Sequence, residues 1–202
     1  MKILIFLFPL ISLAQTGDQI NNFSKVKAAD TIIYYGLDFS NFILYNPKKV
    51  ATEDAIDQYF SEWTTNFHAQ NPKKEFELFL RKKVRTRLED IQLDSYKDLK
   101  NYVRSENREL SKELIAATIK EYTLRDHAGI GLVIMVDKFE KARDRAFLQF
   151  TFFDVETSEV LAIFDTNGKG YAHGMMKHWL VGMDHCLFEF KTAYRKALKK
   201  KK

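Results

Sequence analysis

Hydrophobic and polar positions change period several times along the chain, and each change predicts an element. Thr31-Ile-Ile-Tyr-Tyr-Gly-Leu37 places apolar residues at both parities, the pattern of a strand buried on both faces, and Asn41-Phe-Ile-Leu-Tyr45 extends or edges it. Pro47 ends the run. Thr52, Glu53 and Asp54 supply a cap and an acidic first turn, after which Ile56, Tyr59, Phe60, Trp63 and Phe67 recur at helical steps. Asn71-Pro72 opens a shorter helix carrying Phe76, Phe79 and Leu80. Between residues 83 and 90, Val84, Thr86 and Leu88 alternate with Lys83, Arg85 and Arg87, which fits a half-exposed strand and, nearly as well, a helical continuation.

From Ser95 to Tyr122 composition predicts helix, with Leu99 and Val103 in one stripe, Leu110, Leu114, Ile115 and Ile119 in another, and a break near Ser105–Asn107. Three β-rich runs follow at 130–136, 147–153 and 160–164, joined by a charged loop (Asp137–Arg145) and a tight turn at Glu156–Glu159, so consecutive hairpins are expected. Thr166–Gly174 reads as a glycine-rich loop. Met176, Leu180, Met183, Leu187, Phe190 and Tyr194 then step by four and three, predicting a long amphipathic C-terminal helix with that seam inward. The sum is an α+β fold: a mixed sheet with a C-terminal antiparallel three-strand meander, covered by helices.

The first residues carry an address. Met1–Ala14 has one Lys, an unbroken apolar run from Ile3 to Ile11, and small residues at Ser12 and Ala14, which predicts a secretory signal peptide cleaved before Gln15. That run is too short to span a bilayer, for which about 20 residues are needed. The expected organisation is a signal at 1–14, a polar lead-in at 15–27, a single domain over 28–198 and a basic tail at 199–202, with the mature chain periplasmic or secreted. Cys186, the single cysteine, falls in an apolar helical segment and is expected to be a buried, inert thiol.

The net charge of +5 changes little once it is located. Six positive charges crowd Arg195–Lys202; without them and Lys2, 25 basic residues face 27 acidic ones, so the body is near neutral. No nucleic-acid partner is expected. A weak electrostatic contact with a surface through Lys199, Lys200, Lys201 and Lys202 is the one charged interaction the sequence suggests.

Residues 129–178 also carry a resemblance. The strand ending Val-Ile-Met-Val-Asp137, the hairpin Thr151-Phe-Phe-Asp-Val-Glu-Thr-Ser-Glu-Val160, and the entry Gly168-Lys-Gly170, Gly174, His178-Trp179 to a final helix resemble small exported proteins of Gram-negative envelopes. More distantly they are similar to the periplasmic α/β modules of curli-secretion channel proteins and to the TolB amino-terminal domain. The resemblance covers about a quarter of the chain, implies an envelope setting and a non-catalytic role, and carries over no catalytic residue. The chain departs from the channel proteins in lacking a lipidated Cys and long membrane-inserting hairpins.

Candidate chemistry is sparse. Gly168, Lys169, Gly170, His173 and Gly174 precede a helix and could bind an anion or partner through exposed amides, although the glycine spacing matches no dinucleotide or phosphate loop. Close packing is the plainer role for these glycines. His173, His178 and His185 cluster with Asp184, but His178 and His185 stand seven residues apart, too far along a helix for one zinc, and both are expected on its exposed side. No metal or cofactor is expected. Asp137, Asp154 and Asp165 follow or end strands and could meet at one sheet edge, or serve as ordinary turn residues. Two readings follow: a non-enzymatic binding module, or a hydrolase of weak signature using Asp and His residues around 165–178, which a pocket where His173 faces Asp137 or Asp165 would favour.

Overall fold

The computed structural model describes residues 19–20, 22–45, 53–91, 103–104 and 109–199. The stretch read as a signal (Met1–Ala14), Gln15, Pro47, Thr52, Leu99, the break expected at Ser105–Asn107 and Lys200–Lys202 lie outside the described residues. In chain order the elements are β1 (Gln19–Ile20), α1 (Phe23–Ala28), β2 (Thr31–Asp38), β3 (Ile43–Tyr45), α2 (Glu53–Ala69), α3 (Pro72–Leu80), β4 (Lys83–Thr86) and a 3-10 turn (Leu88–Asp90). They continue with β5 (Val103–Arg104), α4 (Lys112–Glu121), β6 (Ile130–Glu140), β7 (Arg145–Asp154), β8 (Val160–Lys169) and α5 (Met175–Lys199).

The strands form one mixed sheet in the order β1-β8-β7-β6-β2-β4. β6, β7 and β8 make the expected antiparallel meander, while β2 runs parallel to both β4 and β6. Beyond the end of β2 the chain returns to the same edge of β6 as β3, with β5 parallel outside it. β2 is buried along nearly its whole length, as its double-parity pattern predicts.

Two apolar layers sandwich the sheet. On one face α1, α2, α3 and α5 enclose a cluster containing Phe60, Trp63, Phe67, Phe76, Phe150, Phe164 and Phe190; on the other, α4 with its lead-in residue Leu110 covers Ile33, Tyr35, Val133, Met135 and Phe153. Phe190 stacks on Phe150 at 4.1 Å and an interplanar angle of 6°. The Trp63 indole Nε1 donates to Met176 O at 3.2 Å, tying α2 to the start of α5. Asn71 caps α3 by accepting from Lys74 N, with Pro72 in the first turn as read from sequence.

Several expectations are corrected. The stretch read as a polar lead-in is part of the fold: β1 pairs with β8, and Phe23 and Val26 of α1 are buried in the main cluster. A helix of six residues, fewer than two turns, is too short to display a period. Residues 83–86 are strand, the first of the two readings of their alternation, because β4 hydrogen-bonds to β2. Of the helix expected over 95–122, Lys112–Glu121 is helical, whereas Val103–Arg104 is strand because it pairs with β3; there pairing overrides the helical composition. β6 runs on to Glu140 and β8 to Lys169, so the charged loop shrinks to a turn and Gly168 and Lys169 leave the predicted loop for a strand.

The seam of α5 is also shifted. Leu180, Met183, Phe190 and Tyr194 are buried as predicted, but Met176 and Leu187 are only partly so, while His178, Trp179, Gly182, Cys186 and Ala197 complete the buried face. His178 is therefore inside, contrary to the exposed side expected for it. The reason is close approach: β8 and α5 pack through glycines, which turns the small residues of the helix inward.

Candidate functional site

The glycine-rich segment is a packing device. A Cβ placed on Gly168 would stand 1.8 Å from Gly182 O, and one on Gly170 would stand 2.5 Å from His178 O, so both glycines let the backbone of β8 and the following turn touch α5. No room for a side chain remains at those two positions. Gly174 has φ +80° and open space around it, which makes it the turn residue into α5. Lys169 and His173 are exposed.

The three histidines also separate. His173 is exposed, His185 is half-buried with its ring against Tyr171 at 5.3 Å, and His178 is buried with Nδ1 3.2 Å from Ala172 O and Nε2 3.2 Å from Asp144 Oδ1. Asp144 is held below the usual carboxylate range, first by its bond to Lys141. Among the described residues no group of three His, Cys, Asp or Glu gathers as a metal site. Cys186 is fully buried, its Sγ 3.4 Å from Ala146 O, and burial pushes its thiol up to about 12.

Of the three aspartates, Asp154 is a turn residue: its Oδ1 accepts from Glu156 N and Thr157 N, each at 3.2 Å, and its Oδ2 pairs with Lys25. Asp137 and Asp165 do meet. They line a polar pocket of about 470 Å³ at the start of α4, with Glu109, Glu113, Lys138 and Gln149. His173 is not among its lining residues, so the pair that would favour the hydrolase reading is not assembled there.

A second, larger pocket, about 710 Å³, opens where β2 ends. Sequence reasoning singled out none of its polar residues. Topology places it. From β2 the chain crosses through α2 and α3 on one face to reach β4, then through α4 on the opposite face to reach β6 on the other side of β2. The two connections thus leave in opposite directions, and in open α/β sheets a crevice forms at the carboxyl ends of the strands at such a switch point.

The walls of this crevice come from three segments. The β2–β3 turn, pinned by buried Phe39 and Phe42, supplies Asp38, Ser40 and Asn41; the 3-10 turn supplies Glu89 and Asp90; α4 and its exit supply Thr118, Glu121, Tyr122 and Arg125. Asp38, only 3% exposed, accepts from Ser40 N at 2.7 Å through Oδ1 and from the Tyr122 hydroxyl through Oδ2. Asp90, whose side chain is 0% exposed, accepts from Arg125 N at 3.0 Å and pairs with Arg125 Nε at 3.2 Å. Asn41 Nδ2 donates to Thr118 Oγ1 at 2.9 Å, and that hydroxyl donates to Leu114 O. A buried carboxylate is expensive unless donors surround it, and here each is held in place by at least two. Four carboxylates face one guanidinium, so the crevice favours a ligand that brings positive charge or hydrogen-bond donors.

No protein-family model and no curated protein matches the chain. Among solved structures it is similar to the PelC dodecamer from Paraburkholderia phytofirmans, at 9% identity and a TM-score of 0.32, over 87% of this chain and 94% of that one. It is likewise similar to a hypothetical protein from Chlamydia trachomatis, at 10% identity and a TM-score of 0.32, over 85% and 99% of the two chains. At these values the likenesses carry no argument. No family match links the chain to curli-secretion channels or TolB, so that resemblance rests on its motifs alone. No described helix is long and apolar enough to cross a membrane.

Proposed function

We propose that the chain is an exported, non-enzymatic binding module that holds a small cationic or donor-rich ligand in the crevice at the end of β2. The observation that supports it is the pair of buried carboxylates, Asp38 and Asp90, fixed by protein donors on the wall of the larger pocket. Export is supported by the leader-like pattern of Met1–Ala14.

Calorimetry and thermal melting with putrescine and with arginine methyl ester, against glucose and salt at matched ionic strength, test the crevice. A probe at 100-fold its Kd stabilises the fold by about 2.7 kcal/mol. Asp38→Asn should weaken the response to the cationic probes. Cationic probes that act no more strongly than the salt control would refute the binding reading. For export, intact mass on protein recovered outside the cytoplasm should show a chain beginning at Gln15; a full-length mass in the membrane fraction would refute it.

A further inference from the structure

The face of α5 turned away from the core has a composition unlike the rest of the molecule. At about 100° per residue, Lys177, Phe188, Arg195 and Lys199 fall within about 40° of one another. Trp179, Cys186, Phe190 and Ala197, all buried, lie on the opposite side. Lys177, Arg195 and Lys199 are exposed, and Phe188, in the middle of the stripe, is 64% exposed. Tyr171, in the turn leading into the helix, is 69% exposed, and Leu198 near its end is 42% exposed. Five large apolar side chains are exposed among the described residues, and these are three of them.

Charge on this face is positive on balance: Lys177, Lys191, Arg195 and Lys199 lie on or beside the stripe with the half-buried Asp184, while Glu189 and Lys196 lie about 100° away from it. Three more lysines follow, although the rest of the mature chain is near neutral. A single exposed aromatic is ordinary on a soluble surface; one set at the centre of a cationic stripe, with further apolar side chains at both ends, is a different arrangement. We propose that this face of α5 docks the protein on an anionic phospholipid membrane, with Phe188, Tyr171 and Leu198 entering the headgroup region and the basic residues facing lipid phosphates.

The spacing of the anchors favours a bilayer over a protein partner. A protein interface buries a contiguous, shape-matched apolar centre. Here the apolar residues are strung singly along a helix of about 37 Å, which a fluid planar surface accommodates one by one. Each basic residue near an anionic leaflet contributes about 1 kcal/mol, so the stripe alone sustains weak, salt-sensitive attachment that aromatic insertion then strengthens. The proposal is independent of the crevice at β2.

Cosedimentation of the processed chain with vesicles tests it, using phosphatidylcholine alone and phosphatidylcholine with about 30% phosphatidylglycerol, at low salt and at about 0.5 M salt. Binding is expected only to the anionic vesicles and only at low salt. Phe188→Ala should reduce partitioning about tenfold. Its melting temperature should stay unchanged, since the ring is largely in solvent. The charge-reversing pair Arg195→Glu and Lys199→Glu should abolish binding. Equal binding to both vesicle types, or none to either, would overturn the proposal. So would anionic binding that ignores Phe188→Ala and disappears on deleting Lys200–Lys202 alone, which would leave only an adhesive tail.

Discussion

Replacing Gly168 by Ala tests how β8 and α5 meet. The added methyl would stand 1.8 Å from Gly182 O, 2.8 Å from Cys186 N and 2.8 Å from His185 Cβ. Two of these three are backbone atoms of α5, so no rotamer change relieves the overlap; the helix must move by more than an ångström over a densely packed sheet. Gly168 has an ordinary φ, and the penalty is steric throughout. Overpacking of this kind costs about 1–3 kcal/mol where neighbours can yield, and a backbone clash belongs at about 3 kcal/mol or above. For a domain of this size that corresponds to a fall in Tm of about 6–12 °C. Gly174→Ala is the control, because nothing lies within 4 Å of the added methyl and only its positive φ is strained, at about 1–2 kcal/mol. Circular-dichroism melts and urea titrations of both variants measure the difference. If Gly168→Ala stays within about 1 kcal/mol of the parent, or proves milder than Gly174→Ala, the close-packing account fails and an open, ligand-accessible glycine loop becomes tenable.

Three further outcomes are expected. Phe190→Ala removes the ring stacked on Phe150 and should cost about 3–5 kcal/mol, well above Leu187→Ala at the margin of the same helix, and equal losses in denaturant titrations would contradict the corrected seam. Cys186 should remain unmodified by a thiol reagent at pH 8 and react in full only in denaturant, because burial keeps it protonated; labelling of the native protein would place the thiol elsewhere. Burial lowers the affinity of His68 for a proton, against a Thr64 backbone hydrogen bond that acts the other way, so the unfolded chain takes up that proton first and stability should decline as the pH falls below about 6.5. His68→Gln should flatten the slope between about pH 7 and pH 5, and an unchanged slope would exclude His68 as its source.

What the sequence conveyed depends on how strongly each element signals its own burial. β2, α2, α3 and the meander were legible because each buries a regular set of large side chains, as Trp63 and Phe67 do at helical spacing. α5 was legible as a helix but not in its exact rotation, because it approaches the sheet through Gly182 and Cys186, small residues that leave no hydrophobic period. α1 and β1 were hidden by brevity, and β5 by a partner strand distant in sequence. The crevice at β2 was invisible for a related reason. Asp38 and Asp90 belong to different turns, joined in space only by the crossover through α2 and α3, and no spacing rule connects them. Asp137 and Asp165 could be placed near each other in advance because their strands flank the same central strand of one meander.

The position of α1 has a consequence for the order in which the molecule is made. Phe23 packs edge-on to Phe164 at 5.7 Å and to Tyr194 at 5.4 Å, Asn22 N donates to Leu161 O, and Lys25 reaches Asp154 and Glu159. Among the described residues, the first helix therefore takes its aromatic partners from the last strand and the last helix. Until β8 and α5 are made, Phe23 has neither of these partners. This corner of the core is therefore completed late, when the two ends of the fold come together.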